Sequence, residues 1–426
     1  MDNLINKFED LKIPETTMTE ELWLKWIDVV ENSFVPQKIC GNERPLEEED
    51  FREYRAIVDR NLNNIKMMLE SVLEKCKETN KRIDCDSILG KTFGMNLLYL
   101  IGEMHEKNVW NTAESVKISK TLSSYFCQLY VYENVKDFIW LGNNIVVMFE
   151  KFRYKLQRDT WKTYPSAVAW YKWFIHHIKG FTPFKIREVL FPTILIILDD
   201  YVPENIVKGL ECLHLLTNNS CPLLKKEFIE TGYAEAIYYS LERLAHQRNV
   251  IYTVPLYLCL KDILEMLDMH DNINLFEWNK RDVILSILLS HMEFEQDVEL
   301  RHAYMLSLPQ LLSIGSTKWC DKIARILSDY CKHQTDLRTL KVTVKAVKVY
   351  IMMFNFRVVS KYVSLCKELI ELRFDLMKTP IFDMEIVQNL EDCIFYFYKN
   401  PPSAGCFHND CYKPQIQGLS YNKYLE

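Results

Sequence analysis

Through much of the 426-residue chain, apolar residues recur every three to four positions, the period of an amphipathic helix. Near the N-terminus, Thr17, Met18, Thr19 and Glu20 have the spacing of a capping box, and Leu22, Trp23, Trp26 and Val30 follow on one face. Residues 47–81 predict a long charged helix striped by Ile57, Leu62, Ile65, Leu69 and Leu73. Further helices are expected over 143–154 and 166–178, the second rich in aromatic residues.

From residue 184 the pattern becomes regular. An apolar helix ends in a polar turn, and a second apolar helix opens on Leu or Val followed by a basic residue. One pair carries Pro192, Leu195 and Leu198 before the turn, then Val207-Lys208, Leu210 and Leu213. Another has Ile284, Ile287, Leu288 and Met292, then Leu300-Arg301, Ala303, Leu306 and Leu311. The next has Ile323, Ile326 and Leu327, then Leu337-Arg338, Leu340, Val344 and Val347, and a fainter copy spans 236–267. Arg301 and Arg338 are 37 residues apart, and Lys208 and Arg301 are 93 apart, about two units. Paired helices repeating every ~40–47 residues are the signature of HEAT-type repeats, in which stacked neighbours supply the core that one pair cannot close alone. The expected fold is an all-α, HEAT-like α-solenoid of antiparallel helix pairs. Its expected divisions are an N-terminal helical region over 1–160, a repeat region over 161–400 and a tail over 401–426.

Composition supports helices. The chain holds only 11 glycines, well under the usual ~7%, and strand-rich folds need glycine for tight turns. With 52 basic and 58 acidic residues the net charge is −6, which gives no global electrostatic reason to bind nucleic acid or anionic membrane. Thirteen cysteines lie mostly alone in apolar segments, with no CxxC pair. Together with a start that lacks a signal-peptide pattern, they point to a reducing compartment, cytosol or nucleus, and leave the Asn218-Asn219-Ser220 sequon unused.

The stretch at 189–216, VLFPTILIILDDYVPENIVKGLECLHLL, is the most informative. Its apolar run is half the ~20 residues a membrane span needs, so it reads as a buried helix. Asp199 and Asp200 follow that helix at its C-terminal end, where the dipole disfavours negative charge. Pro203 suits the first position of the next helix, and Val202 is pushed out of helical geometry by it. The aspartates are therefore expected to cap the second helix or its neighbour, each contributing ~1 kcal/mol. Gly209 inside that helix costs about 1 kcal/mol relative to alanine, and close helix–helix approach is the expected return. A helical enzyme built on Asp199, Asp200 and His214 is the competing reading.

This stretch also resembles a known family. The order of apolar helix, Asp199-Asp200-Tyr201, Pro203-Glu204-Asn205, Gly209 and Cys212-Leu213-His214 is similar to the central motif of the Tel-two-interacting protein two family. The resemblance is sharpest over 199–214 and extends over about 184–312. It implies a HEAT-like protein with no catalytic activity and no cofactor, the smallest subunit of the TTT co-chaperone complex. Such a subunit is held with two larger helical-repeat partners and works with the Hsp-ninety system in maturing phosphatidylinositol-3-kinase-related kinases. A nuclear-transport adaptor is the alternative among binding modules.

Other candidate chemistry is thin. No phosphate loop, GxGxxG, GxSxG or HExxH occurs. His176 and His177 lie between apolar residues, with one expected to face inward and one outward. Cys406, His408 and Cys411 crowd the tail beside Asp410, yet they leave a tetrahedral zinc set incomplete, so a tail with incidental ligands is the simpler reading. Arg338, Lys341, Lys345 and Lys348 fall within roughly 80° of arc on one helix. They make either a solvated face or a basic ridge that receives an acidic segment of a partner.

Overall fold

The computed structural model describes residues 19–38, 44–80, 83–178, 184–219, 222–270, 277–354, 359–378 and 383–399. Among them are eighteen α-helices and no strand. None of these helices is long and apolar enough to cross a membrane. The chain forms two compact units, Met1–Glu227 and Phe228–Glu426.

The first unit begins with α1 (Glu20–Glu31), α2 (Arg52–Thr79), α3 (Ile88–Met104) and α4 (Ala113–Tyr130). Helix α1 opens on Thr19, whose hydroxyl accepts the Leu22 N–H at 3.3 Å. This is two residues later than the expected capping box, whose Thr17 lies outside the described residues. In α2, Val58, Leu62, Ile65, Leu69 and Leu73 are buried, so Val58 rather than Ile57 continues the stripe. The short α5 (Val135–Trp140), then α6 (Asn144–Arg153), α7 (Pro165–His177), α8 (Phe184–Leu198) and α9 (Pro203–Asn219) complete this part.

Two rows emerge from the packing. Helices α1, α3, α7 and α9 each touch the next, as do α2, α4, α5, α6 and α8. The centre of the first row is α3, buried almost continuously from Phe93 to Met104. Gly102 permits this: a Cβ there would stand 2.6 Å from Cδ1 of Trp170, so only glycine lets α7 come so close. Aromatic rings fill the space between, with Tyr99 stacked on Phe152 at 3.8 Å and Trp170 on Phe174 at 5.0 Å.

The second unit is more regular. After α10 (Pro222–Glu230) come four helix pairs. These are α11 (Tyr233–Ala245) with α12 (Val250–His270), α13 (Lys280–Glu293) with α14 (Val298–Leu311), α15 (Cys320–Cys331) with α16 (Leu337–Phe354), and α17 (Val359–Lys378) with α18 (Met384–Lys399). First helices pack on first helices and second on second, and each pair also closes on itself. This is the all-α arrangement of stacked antiparallel pairs expected of HEAT-like repeats. Capping pins the turns: Asn279 accepts from the Asp282 N–H, and Asp297 from Glu299 and Leu300. Leu306, expected in the apolar stripe of α14, is 37% exposed.

The buried cysteines Cys212, Cys259, Cys320, Cys331, Cys366 and Cys393 are free thiols. Burial pushes Cys331, Cys366 and Cys393 up to about 12, which removes thiolate reactivity at neutral pH.

Candidate functional site

The turn between α8 and α9 is built around one carboxylate. Helix α8 ends as the Asp199 N–H reaches Leu195 O at 3.0 Å, and α9 begins with Pro203 as its first residue. The Asp200 side chain is fully buried. It accepts from Lys162 Nζ at 2.8 Å, from its neighbour's Tyr201 N–H at 2.8 Å and from Asn205 Nδ2 at 2.7 Å. Lys162 in turn lies 4.5 Å from the centroid of the exposed Tyr201 ring. The expectation for Asp200 was a helix cap; the observed arrangement is a buried carboxylate paired with a partly exposed lysine, which ties the loop before α7 to the start of α9. Asp199 stands in the open, 3.6 Å from Arg158.

Gly209 faces α8, where a Cβ would meet Ile197 at 3.1 Å and Leu198 at 3.0 Å. Cys212 and Leu213 are fully buried beyond it. His214 is half-buried, with Asn218 Nδ2 at 2.9 Å from its Nε2. Eleven residues of helix, roughly 16 Å along the axis, separate Pro203 from His214. The two aspartates and this histidine are thus at different levels, and no acid–base group is assembled from them.

The basic residues of α16 meet acids from neighbouring elements. Arg338 Nη1 donates to both carboxylate oxygens of Glu299, at 3.0 and 2.8 Å. Lys341 reaches Glu385 at 2.5 Å and Asp383 at 3.3 Å, Lys345 reaches Glu385 at 2.7 Å, and Lys348 reaches Asp392 at 2.8 Å. Hydrogen bonds from Lys341 and Lys345 hold the Glu385 carboxyl down at about 2. The mutual repulsion that made the row look like a docking ridge is answered within the chain. Cys406, His408 and Cys411 lie outside the described residues. Among the described residues, no His, Cys, Asp and Glu cluster could hold a metal ion. His177 packs on Trp173 and shares a 2.8 Å hydrogen bond between Nδ1 and the Trp173 carbonyl. Burial drives its pKa down to about 4. His176 is exposed.

Two features had no forecast. The first is Glu103, fully buried on α3: its carboxylate accepts from Val35 N–H at 3.1 Å and from Ser166 Oγ at 2.5 Å. Burial raises it to about 7 against the opposing pull of Ser166, Lys155, Val35 and Tyr99. A lone glutamate in the apolar run LLYLIGEM was the available signal. The second is a cavity of about 440 Å³ within the first unit, walled by Trp110, Trp161, Pro165, Val168 and Val202. Lys38, Arg44, Lys107, Lys162 and Lys208 also line it. Four separate segments contribute, so no linear motif announces it.

No known family model matches the chain. Three curated proteins, each named TELO2-interacting protein 2, are similar to it. The Rattus norvegicus protein is 22% identical over 76% of this chain, and the Homo sapiens protein 21% identical over 72%. The Mus musculus protein is 22% identical over 88%. These alignments cover 64%, 65% and 74% of the relatives, so the chain spans about two thirds of the length of the curated proteins it matches. A solved engineered protein superposes on 93% of this chain with a TM-score of 0.44 at 11% identity. By sequence, then, the chain is similar to the TELO2-interacting protein 2 proteins, whose family the motif at residues 199–214 resembles.

Proposed function

We propose that this chain is a non-catalytic interaction subunit of the TTT co-chaperone complex, present in cytoplasm and nucleus. In this reading it is held with two larger helical-repeat subunits. It works with the Hsp-ninety system in maturing and stabilising phosphatidylinositol-3-kinase-related kinases, and needs no cofactor, nucleic acid or membrane. The observation that carries the reading is the similarity to three TELO2-interacting protein 2 chains over 72–88% of this one. Stacked helix pairs suit the role, because they present long continuous surfaces to partners. Affinity capture of the full chain followed by mass spectrometry tests it. Two large helical-repeat proteins in stoichiometric recovery are expected. Recovery of a small GTPase in their place would overturn the reading in favour of a transport adaptor.

A further inference from the structure

The cavity in the first unit has a mostly basic wall, with five cationic side chains against two carboxylates. Lys162 is committed to Asp200, and Arg44 to Asp50 at 2.6 Å. Lys38, Lys107 and Lys208 also line the wall, and none of the three forms an ion pair with a described carboxylate. Of the two acids on the wall, Glu48 is taken by Arg55 at 3.0 Å, and Glu204 is exposed. Three ammonium groups and one carboxylate are thus left unpaired around one concavity. On α16, by contrast, Lys341, Lys345 and Lys348 each meet a carboxylate. Lys208 is the most telling. It is half-buried, and burial lowers its pKa although Glu106, Glu211 and Glu204 pull the other way from beyond ion-pair distance. A cation partly withdrawn from water without an ion-pair partner carries a desolvation cost that falls when an anion arrives.

We propose that this cavity binds a phosphoryl-bearing anion, with Lys38, Lys107 and Lys208 as its ligands and the start of α9 as its floor. Phosphoryl fits better than carboxylate because it carries up to two charges and three acceptor oxygens, enough to engage three ammonium groups at once. A volume of about 440 Å³ exceeds one phosphate and falls in the range of small-ligand sites. The chemistry has two sources, a soluble polyphosphate or a phosphorylated side chain. The site stands apart from the complex proposed above, because it rests on this chain's own lysines.

Titration calorimetry on the full chain at low ionic strength tests the assignment, with tripolyphosphate in one arm and a phosphoserine peptide in the other. Saturable binding in either arm, weakening as salt rises, is expected, and the tighter arm identifies the source. Lys107→Gln, at an exposed position, should lower affinity severalfold, and Lys107→Gln with Lys208→Gln tenfold or more. Lys345→Gln, in the second unit, should leave it unchanged. Circular dichroism confirms that each variant is folded. The proposal fails if neither probe binds more tightly than sulfate at matched ionic strength. It fails equally if the unphosphorylated peptide binds as well as its phosphorylated form, or if folded Lys107→Gln retains full affinity.

Discussion

Glu103 and His177 pull the stability of the first unit in opposite directions with pH. Glu103 sits near 7 when folded, above the ordinary carboxylate value, so the folded state holds its proton more tightly than the unfolded chain. Its contribution is fully present below about pH 4.5 and is lost as pH rises through about 7, on the order of 3 kcal/mol in all. His177, lowered to about 4, behaves the other way: its contribution is present above about 6.5 and is lost as pH falls towards 4. Glu103→Gln should therefore make stability rise more steeply between pH 4.5 and 7 than in the unaltered protein, since the slope that opposes that of His177 is removed. Denaturant titrations across that window check this, and identical slopes in both proteins would refute it. A second residue-scale outcome concerns the two aspartates. Asp200→Ala, which strands Lys162 beside a buried void, should cost about 1–3 kcal/mol, whereas Asp199→Ala should cost less than ~0.5 kcal/mol. Asp200→Asn should fall between them, because it still accepts one hydrogen bond. Equal thermal shifts for the two alanine variants would remove the distinction.

At the scale of elements, α16 and α18 are held partly by shared charge. Glu385 serves both Lys341 and Lys345, and Asp383 also meets Lys341, so replacing both lysines by glutamate puts four carboxylates together at one helix start. The double variant should melt below the unaltered protein, with the gap narrowing in high salt. Adding Glu385→Lys should recover much of the loss. A melt unaffected by the reversal would return the row to the docking role considered from sequence. The pair α15/α16 was legible because one face of each helix is apolar, and α13/α14 because the polar turn between them is distinct. Helix α3 was not: it is apolar on every side, so it carries no 3.6-residue contrast to read, and its glycines argue locally against a helix. At 199–214 the turn, the helix starting at Pro203 and the close approach at Gly209 could be read directly. The partner of Asp200 could not, because Lys162 is 38 residues away and nothing local marks it.

For the molecule as a whole, the second unit's contacts run between consecutive pairs. Tyr238 OH donates to Lys280 O, Tyr330 OH to Met292 O and Tyr350 OH to Cys320 O, each linking one pair to the next or closing a pair. Arg325 pairs with Glu293 and Arg338 with Glu299 across the same step. Exposed Phe374, Met377 and Met384 lie in the last of these pairs. If a partner covers that apolar surface, depleting the partners should lower the chain's cellular abundance. Unchanged abundance would argue that the surface stays bare.

Neighbour-only packing also gives the second unit a mechanical character. Among the described residues the helix packing runs chiefly between neighbouring pairs, so a load applied along the chain meets one interface at a time. Held by its termini in an optical trap, this unit should lengthen in successive steps. Each step should release roughly 13 nm of contour, the extended length of one ~40-residue pair. A single large rip spanning all four pairs would show instead that the interfaces yield together. Under gentle tension the same arrangement would act as a spring whose turns open and reclose one after another.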